Sequence, residues 1–332
     1  MLEYHILGGA GCDNALFVKA NSGQHVTRLM FDCGEDCPGG VPAGELKDLD
    51  ALFFSHLHMD HIAGFDSFFR GLYDREDRAN HIWGPEGTSR ILQHRFQGFL
   101  WNLHGETHVS WNVHDVLPGE IRSSRYVLSE GFAAAHAGGV RSRDVTLWEN
   151  EDLEVQTWEM DHRTPSLAYL IKEKPRSNVD TSKLEALGLR PGPWIKALKD
   201  PAAEVMVHVN GQTQDLQELR KALLVETPGQ SIAYLTDFLL DESARLRLGE
   251  ALQGVTTMVC ESQYRAADFE LALKHRHMTS VQAAALARDA GVGELVLIHV
   301  SKRYSPLEWA ELLAEARQVF PNTRFAEHWG IG

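Results

Sequence analysis

Residues 56–61 read His56-Leu57-His58-Met59-Asp60-His61. Three imidazoles and a carboxylate in six positions are donors of the kind that hold zinc and related divalent cations. They close an apolar run, Leu52-Phe53-Phe54-Ser55, that reads as a buried strand. His56 and His58 are two apart, so in an extended segment they point the same way and can grip one cation together. Asp60 and His61 are then placed to reach a second cation nearby. The chemistry open to such a pair is hydrolysis. The cations lower the pKa of a water between them and neutralise charge on the group under attack.

A two-cation site needs more donors than one cluster supplies, and the chain offers them at the ends of predicted strands. His162 follows a strand at 155–158, Asp237 follows one at 231–235, and His299 ends one at 295–299. Donors at strand ends are well held, because the sheet fixes their backbone. Other strands are expected at 4–7, 15–19, 27–32, 52–54, 167–171, 205–209, 256–260 and 325–328. Helices are expected at 62–72, 86–101, 241–252, 266–274, 279–290 and 306–319, with Thr279 or Ser280 capping one and Pro306 opening another. The glycines of Gly8-Gly9-Ala10-Gly11 lack the later glycine and opening helix of a dinucleotide fingerprint. The stretch 104–150 carries little pattern. Pro175, Gly188, Pro191, Gly192, Pro193 and Pro201 break the pattern again, and 172–204 reads as an extended insertion. Strands followed by strand–helix alternation imply an α/β fold: a four-layer αββα sandwich of two sheets covered by helices, with ligands at the strand ends.

At 332 residues with 43% hydrophobic content, the chain can bury a substantial core. No run reaches the length of a membrane span, and Met1-Leu2-Glu3-Tyr4-His5 does not open a signal peptide. Cys12, Cys33, Cys37 and Cys260 are too scattered for a disulfide framework and read as free thiols of a cytoplasmic protein. The net charge of −14 argues against a protein that coats nucleic acid over its whole surface. Residues 172–199, however, carry seven basic and three acidic side chains, a basic segment suited to phosphate on an otherwise acidic body.

The order His56-x-His58-x-Asp60-His61, His162, Asp237, His299 resembles the metallo-β-lactamase superfamily, and more narrowly its ribonuclease Z family of tRNA 3′-processing endonucleases. The narrower likeness rests on Phe31-Asp32-Cys33-Gly34-Glu35, on His162-Arg163-Thr164-Pro165-Ser166-Leu167-Ala168-Tyr169, and on Gly188-Leu189-Arg190-Pro191-Gly192-Pro193. It also rests on His277-Met278-Thr279 and on Ile298-His299-Val300-Ser301-Lys302-Arg303-Tyr304. The resemblance implies one domain of that fold over 1–332 with an inserted, flexible basic arm at 172–204. It implies two zinc ions (manganese or iron can use the same donors), the first on His56, His58 and His162, the second on Asp60, His61 and His299, with Asp237 bridging. Asp32 would orient a ligand imidazole. Asp60 would also accept the proton of the attacking water, and His277, paired with Glu261, would serve the scissile phosphate. His277 would either hydrogen-bond a nonbridging oxygen or give a proton to the leaving oxygen.

Gly192, Pro193, Lys196 and Lys199 of the arm would hold precursor tRNA, and the resemblance implies a homodimer. Three stretches differ from the family pattern. Gly11-Cys12-Asp13-Asn14 stands where the family carries a proline and an Arg-Asn pair. Ile62-Ala63-Gly64-Phe65-Asp66 stands for Ile-x-Gly-Leu-Pro, and Thr236 rather than Gly precedes Asp237. The metal ligands survive all three. The alternatives to a tRNA endonuclease are a hydrolase of the same fold acting on a small phosphodiester, lactone or thioester, and a noncatalytic RNA-binding protein.

Overall fold

The computed structural model describes all residues except 1, 24, 201, 202 and 204. Met1 and Pro201, both used in the sequence reading, lie outside the described residues. Contacts divide the chain into two compact units, 1–172 with 230–332, and 173–229.

The larger unit contains two sheets. The first has eight strands in chain order, from Leu2–Leu7 to His136–Ser142. Strand Val26–Phe31 runs parallel to Ala51–Phe53, and the parallel pairing continues through Asn80–Pro85 to Ser110–Leu117. The second sheet places Ser231–Leu235, Thr257–Glu261, Glu294–Ile298 and Thr323–Phe325 in parallel, with Pro165–Glu173 antiparallel to the first of these.

The alternation of side chains along a strand assigns each residue to a layer. In Glu294–Ile298, Val296 and Ile298 face the first sheet, where they join Phe31, Phe53, Tyr169 and Tyr234. Leu295 and Leu297 face away and pack with Leu286 and Ala287 of helix Ser280–Asp289 and Leu312 and Leu313 of helix Pro306–Val319. The outer face of the first sheet is covered in the same way by Phe65, Phe68, Leu92 and Phe96 from helices. The result is the αββα sandwich expected. Strands buried on both faces explain why their sequences are near-continuous apolar runs. Thr279 and Ser305 start the two helices with full capping boxes, to Gln282 and Glu308. Among the described residues, no helix is long and apolar enough to cross a membrane.

Several elements differ from expectation: the helix expected at 86–101 spans only Thr88–Phe96, strand Asn80–Pro85 was not expected, and the segment expected to be an extended insertion holds helices Thr181–Ala186 and Trp194–Lys199. The stretch 104–150 builds four strands: Ser110–Leu117, Glu120–Val127, His136–Ser142 and Thr146–Glu149. The third of these is exposed along nearly its whole length, so it carries no apolar alternation to read. The helix expected at 62–72 is broken into Met59–Ile62 and Phe65–Arg70. At the break Gly64 lies so near the backbone of Gly34 that a Cβ would stand 2.2 Å from its oxygen. The final strand ends at Phe325, and Glu327–Trp329 turns as a 3-10 helix.

The smaller unit, 173–229, contains the described part of the expected arm and extends past it. It has its own core, centred on Leu184, Trp194, Leu198, Leu216, Leu219 and Leu223. Asp180 and Asp215 cap two of its helices through their carboxylates. Its hairpin Met206–Val209 with Gln212–Asp215 turns at Asn210-Gly211, both at positive φ as a tight two-residue turn requires. Over the whole of 173–229 the sequence has eight basic and eight acidic side chains, so the basic excess of its first half is balanced by its second.

Candidate metal centre

The parallel strands of both sheets end at one edge, and the polar residues that follow them converge there. His56 and His58 lie in the turn after Ala51–Phe53, and Asp60 and His61 are on the short helix Met59–Ile62. His162 follows Leu153–Asp161, Asp237 comes just after Ser231–Leu235, and His299 directly follows Glu294–Ile298. Donor atoms of His56, His58 and His162 lie within 4.8 Å of one another, and so do those of Asp60, His61, Asp237 and His299.

Asp237 is the hub. Its Oδ2 is 3.4 Å from His61 Nε2, 3.7 Å from His56 Nε2 and 3.8 Å from His162 Nε2, while Oδ1 is 3.4 Å from His299 Nδ1. Thr236 donates its hydroxyl to the same Oδ1 at 2.7 Å. Asp60 Oδ2 lies 3.3 Å from His299 Nε2 and 3.5 Å from His61 Nε2. A buried carboxylate ringed by imidazoles is stable only if positive charge is shared among them. Burial pushes Asp237 up, but His299 and His61 overcome it and hold the carboxyl well below the usual range.

The backbone is strained where the hub is assembled. Asp32, Asp237 and His299 have φ of 61°, 48° and 53°. That conformation is uncommon for residues other than glycine and tends to collect at functional sites.

A second layer fixes the imidazoles. Asp32, fully buried, accepts from Ser55 N at 2.7 Å, Ser55 Oγ at 2.7 Å and the Tyr234 hydroxyl at 2.9 Å. Its Oδ2 is also 2.8 Å from His61 Nδ1, which leaves Nε2 of that ring toward Asp237. His162 Nδ1 donates to the Arg276 carbonyl at 2.9 Å. Asn14 Oδ1 accepts from the backbone N–H of His299 at 2.9 Å. Ser55, Tyr234, Asn14 and the Arg276 carbonyl were not foreseen. Ser55 is adjacent to the cluster and could have been suspected, whereas the others come from remote segments with no local signature.

His277 stands beside this centre. Its Nδ1 is 3.0 Å from Glu261 Oε2, and Glu261 Oε1 accepts from Phe238 N at 3.1 Å. Burial lowers the His277 pKa, but the carboxylates of Glu261, Asp237 and Asp60 outweigh it and hold the ring up at about 9. A cleft of about 520 Å³ opens here, lined by His58, His162, Thr164, Tyr264, His275 and His277. Gly192, Pro193, Lys196 and Lys199 belong to the 173–229 unit. Cys33 and Cys37 are free and buried, and burial pushes both thiols up.

The donor set suits a divalent cation. His56 Nε2, His61 Nε2 and His299 Nδ1 are buried nitrogens without a hydrogen-bond partner among the described residues, and each lies within 3.7 Å of an Asp237 oxygen. Buried polar atoms are normally paired, and a cation accepting these lone pairs resolves all three.

Residues 27–169 match the family model described as a beta-lactamase superfamily domain. Over 329 residues, 99% of each chain, the sequence is 46% identical to ribonuclease Z of Deinococcus radiodurans. The chain belongs to the ribonuclease Z family. It is therefore a hydrolytic nuclease enzyme, built on the metallo-β-lactamase fold. Solved structures that share that fold include human tRNase Z, short form (TM-score 0.56, 18% identity, 92% of this chain and 94% of that one) and YhfI from Bacillus subtilis (TM-score 0.56, 16% identity, 98% and 96%).

Proposed function

We propose that the protein is a zinc-dependent endonuclease that removes the 3′ trailer of tRNA precursors. The observation that carries this reading is the full-length identity to a ribonuclease Z, joined to the Asp237 hub with its orphaned imidazole nitrogens. His56, His58 and His162 would hold one zinc ion, Asp60, His61 and His299 a second, and Asp237 both. When bound, the ions supply a water acidic enough to attack near neutral pH and offset charge on the phosphoryl group.

The chain's own residues supply the rest. Asp60 takes the proton of the attacking water. His277, paired through Nδ1 with Glu261, would present an Nε2 proton to the phosphate, either to a nonbridging oxygen or to the leaving oxygen. Lys196 and Lys199, exposed on helix Trp194–Lys199, and the Gly192-Pro193 turn before it would hold the RNA backbone by charge. The protein would act in the cytoplasm as a homodimer.

A same-fold hydrolase of small phosphodiesters, lactones or thioesters is the second reading. Asp13 favours it: this carboxylate lies in the loop 8–14, whose own sequence carries no basic residue, although Lys302 packs beside Gly11. Purified protein incubated with a 3′-extended tRNA and with bis(p-nitrophenyl) phosphate separates the two. Release of a discrete trailer is expected, and turnover of the ester with the tRNA left intact would overturn the proposal. Metal analysis of the same preparation is expected to find about two zinc ions per chain.

A further inference from the structure

We infer that Arg163 and Arg276 are positioning residues that lock His162 and His277 in register with each other, a role that rests on the hydrolytic reading of this centre. The two histidines come from separate loops, yet their rings lie 4.8 Å apart. Arg163 directly follows the first and Arg276 directly precedes the second. Both arginines sit in the left-handed region, at φ 62° and 58°, a conformation that side chains bearing a Cβ rarely adopt. Among the described residues, eight non-glycine positions have positive φ. Three of them are Asp32, Asp237 and His299, and these two arginines flank the same site.

Each arginine reaches across to the other's loop. Arg163 Nη2 donates to the Lys274 carbonyl at 2.6 Å. The Arg276 guanidinium pairs with the Asp161 carboxylate, and the other oxygen of that carboxylate accepts from Arg163 N at 3.0 Å. The Arg276 carbonyl accepts from His162 Nδ1 at 2.9 Å, which sets that imidazole's tautomer and leaves Nε2 toward Asp237. The contacts close a ring: Asp161 to Arg163, Arg163 to the Lys274 loop, and Arg276 back to both Asp161 and His162. One loop carries a hub imidazole and the other carries the imidazole that faces the phosphate. The clamp therefore fixes the distance between the attacking and the charge-stabilising groups. Misplacement on that scale lowers the chemical step without weakening binding.

Arg276→Gly is the informative variant, because glycine keeps the left-handed backbone and the carbonyl but removes the guanidinium. We expect kcat to fall about tenfold on both the tRNA precursor and bis(p-nitrophenyl) phosphate, with KM within twofold and Tm unchanged or higher. Asp161→Asn should reproduce the loss, the double variant should be no worse than either single one, and Arg276→Lys should recover part of it. The visible absorption of the Co²⁺-loaded protein should change in Arg276→Gly, because the His162 ring is freer. Unchanged kcat and an unchanged Co²⁺ spectrum in both single variants would overturn the inference. So would a rise in KM confined to RNA, which would make Arg276 a direct backbone contact. A wild-type protein that binds no cation and cleaves neither substrate would fail earlier, at the proposed function itself, and would take the inference with it.

Discussion

The centre around Asp237 and the 173–229 unit handle charge in opposite ways. At the centre, Asp32, His61, Asp237 and Glu261 are each at most 2% exposed and each is held by named partners, while burial keeps the equally buried His56 imidazole well below its ordinary pKa. In the 173–229 unit two ion pairs are open to solvent, Lys221 with Glu218 at 2.9 Å and Lys183 with Asp180 at 3.8 Å, while Glu173 in its pair with Arg176 is buried. Buried pairs are costly to break, because removing one partner leaves a desolvated charge, whereas exposed pairs contribute little each. The backbone differs in the same sense. Five of the eight described non-glycine residues at positive φ lie at the centre or flank it, whereas the smaller unit has only Asn210 among them, in a tight turn with Gly211, and otherwise uses Asp-capped helices.

The largest effect is expected at the hub. Asp237→Asn should lower metal affinity by more than about 100-fold, the upper end for losing only a supporting partner, and abolish trailer release. Metal analysis after dialysis and single-turnover cleavage would show it. Asp32→Asn should follow, with about 3–5 kcal/mol of stability lost because Ser55, His61 and Tyr234 lose a shared buried acceptor. Denaturant titration of the metal-loaded protein measures that.

A third effect is pH-linked and lies away from the centre. Burial, reinforced by His81 and Arg141, lowers His114 from the ordinary 6.5 to about 3. The ring lies 3.0 Å from His81 and 2.7 Å from Ser123. The unfolded chain therefore binds a proton here that the folded chain refuses. The contribution is fully present above 6.5 and is lost as pH falls toward 3. Tm should accordingly drop on acidification more steeply in the wild type than in His114→Gln. The smallest effect belongs to the other region. Lys196→Ala with Lys199→Ala should raise KM for tRNA a few-fold and reduce the slope of log affinity against log salt by about 1–2. Turnover of bis(p-nitrophenyl) phosphate should not change. If the lysine pair affected that small ester as strongly as the RNA, the contrast between the two regions would be lost.

Much of this was legible in the sequence, for identifiable reasons. Strand Ser231–Leu235 and helix Pro306–Val319 have the bounds expected, because apolar patterning and a proline-led capping box mark them locally. The strands within 104–150 went unread because their order comes from pairing across the sheet. His136–Ser142 buries almost nothing and is held by its register with Glu120–Val127. Its composition alone therefore matched a loop.

Residue type and spacing marked the candidate donors: the cluster from His56 to His61 in one contiguous segment, and His162, Asp237 and His299 at strand ends. Only the tertiary structure decided that Asp237 stands at the common point of these imidazoles, that Asp32 gathers Ser55, His61 and Tyr234, and that two arginines tie His162 to His277. Donor identity is a local property of side chains. Distances between residues more than a hundred positions apart exist only after both sheets have packed and their parallel strands have ended at the same edge.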